Sequence, residues 1–75
     1  MNVISRTRVN SSHINDVMWT DKGLVIVFND ESTYVYPDVS YETYTKFLGA
    51  RSHGGYFNDN IKGQYRYDKL SRIPK

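Results

Sequence analysis

Five consecutive apolar residues, Leu24-Val25-Ile26-Val27-Phe28, stand between two clusters of turn formers, Asp21-Lys22-Gly23 and Asn29-Asp30-Glu31. A short β-branched and aromatic run bounded in this way is a strand signal. Strand alternation puts Leu24, Ile26 and Phe28 on one face and Val25 and Val27 on the other. Val17-Met18-Trp19-Thr20 reads as a strand before it, and Ser32-Thr33-Tyr34-Val35-Tyr36 as a strand after it, stopped by Pro37. Tyr34 and Tyr36 share a face, and Gly23 supplies the backbone freedom that the first turn needs. Connections this short make an antiparallel meander the natural pairing.

After Pro37 the apolar period changes from two to that of a helix. Ser40 is an N-cap candidate, and Glu42 falls in the first turn, where a negative charge complements the helix dipole. Val39 and Tyr44 occupy staple positions, and Tyr44, Phe47 and Leu48 form a stripe for packing on the sheet. Gly49 closes this helix. Ser52 starts a shorter second helix reaching roughly Lys62, with Tyr56, Phe57, Asn60 and Ile61 close to one side. The expected fold is therefore α+β: a three-stranded antiparallel β-meander followed by two short helices packed on one face. Residues 1–11, polar and without a clear period, read as a flexible arm able to add one edge strand.

At 75 residues the chain is one domain of modest stability. It has no cysteine, hence no disulfide and no thiolate metal site. It has neither an apolar run long enough for a membrane span nor the apolar core of a secretory signal at its start, so the expectation is a soluble, cytoplasmic protein. The formal charge of +2 conceals an asymmetry. Residues 9–45 carry six acids and one base, whereas residues 46–75 carry seven bases and two acids. A basic half is the electrostatic footprint of a polyanion or acidic-protein binder, and equally of an ordinary solvated surface.

The segment Ser52-His53-Gly54-Gly55-Tyr56-Phe57-Asn58 continues through Ile61, Lys62 and Tyr65, joining adjacent glycines, an aromatic pair and a basic residue. Together with three other motifs it resembles the KTSC domain family. Ser12, Ile14 and Val17 resemble the family's opening S-x-I-x-x-V. Tyr34-Val35-Tyr36 resembles its central Y-x-Y, and Val39 to Ala50 its V-x-x-x-x-Y helix. The segment from Ser52 resembles its closing S-x-G-x-Y/F-F-N-x-x-I-[KR]-x-x-Y. Two positions depart from the pattern: Ser40 stands where a proline is common, and Trp19 where the aromatic is usually smaller. The resemblance divides the chain into the arm at 1–11, a KTSC-like domain at 12–67 and a basic tail at 68–75. The family takes its name from the C-terminus of some lysyl-tRNA synthetases and also occurs as free-standing small proteins of bacteria and phages. RNA binding is what the synthetase context implies.

The residues themselves argue against catalysis. His13 and His53 are 40 positions apart with no nucleophile motif around either, and Gly54-Gly55 lacks the spacing of a phosphate-binding loop fingerprint. No catalytic residue, metal ligand or cofactor is expected. The candidate binding residues are Arg51, His53, Gly54, Gly55, Tyr56, Lys62, Tyr65, Arg66 and Lys69. Aromatics among bases stack unpaired nucleobases, and a helix N-terminus near Ser52 offers N–H groups to a phosphate that the glycines let approach. Against this stand structural roles. Tyr56, Phe57 and Ile61 fit a core, the glycines fit a helix packed tightly on the sheet, and Tyr34 and Tyr36 fit a half-buried helix-facing side. Two functions remain open at this level. One is a small non-enzymatic module for RNA or another nucleic acid. The other is a phage-encoded or bacterial adaptor or inhibitor whose basic half meets an acidic surface on a host enzyme.

Overall fold

The computed structural model describes all residues, 1–75. Its elements are β1 (Val3–Arg8), β2 (Ile14–Thr20), β3 (Gly23–Phe28), β4 (Thr33–Tyr36), α1 (Tyr41–Leu48), α2 (His53–Asn60) and β5 (Asp68–Leu70). The fold is α+β, but the sheet has five strands rather than the expected three, in the order β1-β2-β3-β4-β5 with every neighbouring pair antiparallel. The two extra strands are the edges. Their sequences, Val-Ile-Ser-Arg-Thr-Arg and Asp-Lys-Leu, carry no strong strand pattern. They are recruited because β2 and β4 would otherwise leave a row of backbone N–H and C=O groups unpaired.

β3 is the central strand, and its two apolar faces each have a cover. On one face Leu24 and Ile26 pack with Ile14, Val17 and Tyr36, and both helices close over them through Tyr44, Phe47 and Phe57, with Ile61 just beyond α2. On the other, Met18, Val25, Val27 and Val35 form a second cluster. No helix covers it; Val3, Leu70 and Ile73 do. A register shift between Ile14 and Asp16 inserts one extra residue into β2. The bulge breaks the strict alternation, which is how Ile14 and Val17, three positions apart, both face the helices. Gly23, at φ +115°, ends the β2–β3 turn where a Cβ would lie 2.7 Å from the Tyr36 carbonyl oxygen and 2.8 Å from Pro37 Cα, so only glycine fits.

Both helices start as the cap residues direct. Ser40 Oγ accepts from Thr43 N at 3.1 Å, and Ser52 Oγ accepts from Gly55 N at 3.0 Å. α1 adds a Glu42–Lys46 pair at 3.3 Å between successive turns. Gly49, with φ −85°, ends α1 in the right-handed region, so its glycine freedom is not used there. Past α2, Gly63 at φ +77° turns the chain back toward β5.

Candidate functional site

The helices cover only part of the sheet face they sit on. Beyond α2 the ends of β3, β4 and the segment leading into β5 leave a groove of about 520 Å³. Five aromatic rings line it: Phe28, Tyr34, Tyr36, Phe57 and Tyr67. They hold one another edge-on, with centroids 5.4 Å apart for Phe28–Phe57, 5.7 Å for Phe28–Tyr34 and 5.2 Å for Tyr34–Tyr67. Tyr67 is the exposed wall, at 59%. Lys62, Ser12 and His13 contribute to the polar rim together with Asn29, Asp30 and Ser32. Asp30 accepts from Ser32 N at 3.0 Å and from Ser32 Oγ, and these bonds lower its carboxyl below the usual range, with a smaller contribution from Lys69. Burial first, and the neighbouring Tyr67 and Tyr34 next, push the Tyr36 phenol up to about 12.

A second hollow adjoins the first and is wholly polar. Arg51, Ser52, His53, Gly54, Gly55 and Asn58 line it from the helix side, and Asn10, Ser11, Ser12 and His13 from the loop between β1 and β2. Ser12 and His13 thus form a wall common to both depressions. That wall is pinned in place. Asn29 N donates to the His13 carbonyl at 2.9 Å, Asn29 Nδ2 donates to the Ser11 carbonyl at 3.2 Å, and Ser11 Oγ accepts from His13 N at 3.2 Å.

The nine residues singled out in the sequence divide among these features. Arg51, His53, Gly54 and Gly55 come together in the polar hollow, and Lys62 lies at the aromatic groove. Tyr56 is half-buried and stacks on Phe47 at 5.6 Å, while Tyr65 is half-buried against the main core. Arg66 Nε donates to Asp38 Oδ2 at 2.9 Å on the surface. Lys69 stands in register with Tyr34 on β5. His53 Nε2 lies 3.2 Å from the Leu48 carbonyl oxygen, which only accepts, so that nitrogen carries the proton and Nδ1 is left over.

The glycine pair separates into two roles. A Cβ on Gly55 would stand 3.1 Å from Ser52 Oγ, so this glycine gives room to the cap. A Cβ on Gly54 would meet only ordinary contacts, 3.5 Å to His13 Cδ2 and 3.6 Å to Ser11 Oγ, and would extend into the hollow. Neither glycine is pressed against the sheet, so tight helix–sheet packing is not their reason. Sequence reasoning missed Phe28, Ser12 and His13 as groove residues. The parity of Phe28 with Ile26 was visible, but its position beyond the end of the helix cover was not.

Fold and site together define a small module with a concave aromatic groove beside a polar hollow, built on a five-stranded meander. The KTSC domain model matches residues 10–65, and the chain belongs to that family. The crystal structure of a KTSC domain protein from Yersinia pestis is similar, with a TM-score of 0.81 and 32% identity over 88% of this chain and 96% of that one. A comparison with curated proteins returns no match. No helix is long and apolar enough to cross a membrane.

Proposed function

We propose that this chain is a non-enzymatic binding module for single-stranded nucleic acid, RNA foremost. The observation that carries the reading is the common wall: a groove lined by five aromatic rings and a hollow at the N-terminus of α2 meet at Ser12 and His13. A nucleotide has the same two parts, a planar base and an anionic phosphate. Bases stack on aromatic faces for about 1–3 kcal/mol each, with little regard to sequence. In the hollow, Arg51 supplies a guanidinium fork, and the amides of His53 and Gly54, at the first helical positions, have no carbonyl within the helix. Gly54 leaves the approach open. Lys62 at the groove rim adds a second cation. The synthetase context of the family favours RNA over DNA as the first ligand to try.

The test is fluorescence anisotropy with a labelled twelve-nucleotide RNA of mixed sequence. An Arg51→Glu/Lys62→Glu variant replaces two exposed cations and is expected to keep its melting temperature and lose affinity by about tenfold or more. Wild-type affinity is expected to fall as salt rises. Unchanged binding in a folded double variant rejects the reading.

A further inference from the structure

The face of the sheet that bears no helix carries an unexplained charge arrangement. Asp16 in β2 is buried, its side chain 3% exposed, and stands in register with Val27 of the helix-free apolar cluster. Isolating a carboxylate from water is expensive unless cations and hydrogen bonds compensate. Two arginines of the edge strand do so. Arg6 Nη2 donates to Asp16 Oδ2 at 2.9 Å, and Arg8 Nε stands 3.5 Å from Oδ1, which has no hydrogen-bond partner. In the antiparallel register Arg6 opposes Met18 and Arg8 opposes Asp16, so both guanidiniums lie over the helix-free face. They remain 46% and 75% exposed.

Protecting a sheet edge needs only exposed charge. Placing a buried carboxylate beneath that charge does something more, because it fixes Arg6 by a hydrogen bond and draws Arg8 electrostatically to the same point. Each guanidinium has five N–H donors, and Asp16 engages one of Arg6 by a hydrogen bond and none of Arg8. Two cations against one acid leave a local surplus of positive charge with its donors facing solvent. Asn10, on the rim of the polar hollow, follows Arg8 by two residues, a span of at most about 7 Å.

The geometry points to a phosphate clamp formed by Arg6 and Arg8 and oriented by Asp16. As a clamp it stands on this face alone. Its occupant as a nucleic-acid phosphodiester rests on the reading given above, and the strand then leaves the hollow past Asn10 and turns around the β1 edge. Asp16 is a positioning residue, since it would touch no ligand.

The experiment uses two probes on the full chain: tripolyphosphate, which has no base, followed by calorimetry, and the twelve-nucleotide RNA, followed by anisotropy. Arg8→Gln leaves the Arg6–Asp16 bond intact, and its side chain is mostly exposed, so the variant is expected to fold, which a thermal melt checks. It is expected to bind both probes about fivefold more weakly and to lower the salt slope for RNA by about 0.7, one phosphate contact. Arg8→Lys keeps the charge and loses the fork, and is expected to restore less than half of the lost binding free energy. Wild-type affinity for tripolyphosphate in Arg8→Gln, or full rescue by lysine, overturns the clamp, as does failure of the wild type to bind tripolyphosphate. Tripolyphosphate binding that depends on Arg8, with no RNA binding by the wild type, upholds the clamp and removes the nucleic-acid reading instead.

Discussion

Tyr36 belongs to the core and the groove at once. It is 4% exposed, packs with Phe57 at a centroid distance of 6.0 Å, and still lines the depression beside Tyr67. Burial is the first cause that pushes its phenol from 10.0 up to about 12, because the phenolate would lose its water. The sign of the consequence is fixed by linkage. Below pH 10 both folded and unfolded chains hold the proton, and the stability is fully present. Between pH 10 and about 12 the unfolded chain releases its proton while the folded one keeps it, so stability falls as pH rises through that window. Tyr36→Phe removes this contribution. The drop in melting temperature between the bottom and top of the window is expected to be smaller in the variant than in the wild type. Equal drops in a pH series of thermal melts would contradict the assigned environment.

At the level of elements the C-terminal segment has a role that its composition hides. Residues 71–75 are not in a strand or helix, yet Ile73 packs on the cluster of Met18, Val25, Val27 and Val35 on the helix-free face. A charge at that position would both remove the cover and oppose burial. Ile73→Asp is expected to lower unfolding free energy by about 1–3 kcal/mol in urea titrations, from the lost apolar burial alone. An unchanged midpoint would mean that the tail does not seal the sheet. Much of the central fold was legible. The alternation in β3 and β4, the turn formers around them and the serine caps of both helices are local signals, and local physics decides them. β1 was legible only as an arm able to add an edge strand, and β5 and the Ile73 cover were not, because they form where a neighbour's unpaired edge or apolar face recruits them. The groove followed the same division. Alternation puts Tyr34 and Tyr36 on one face without deciding between core and stacking roles, and Tyr67 joins them through a pairing of β4 with β5 that no local pattern announces.

Considered as a whole molecule, the charge asymmetry along the chain is partly offset by ion pairs. Arg66 of the basic half is tied to Asp38 of the acidic half at 2.9 Å, and Arg6 and Arg8 from the start of the chain sit over Asp16. Cations without an acidic partner include Arg51 at the polar hollow and Lys62 at the groove, with Lys22, Lys69, Arg72 and Lys75 elsewhere on the surface, and the arginine pair adds its outward donors. The body measures 28 × 24 × 22 Å, so on the proposed reading it would contact only a few nucleotides of a strand, in line with the roughly 4–16 nucleotides covered by one OB fold. The central claim is that the aromatic groove and the polar hollow receive one strand together. Titrating isotope-labelled protein with the twelve-nucleotide RNA and following backbone amide and aromatic resonances tests it most directly. The account predicts shifts that saturate together at Phe28, Tyr34 and Tyr67, at the Ser12–His13 wall and at Gly54. A spectrum unmoved by RNA, or one whose changes gather on the outer face of α1 around Lys46 and leave the groove untouched, would contradict it.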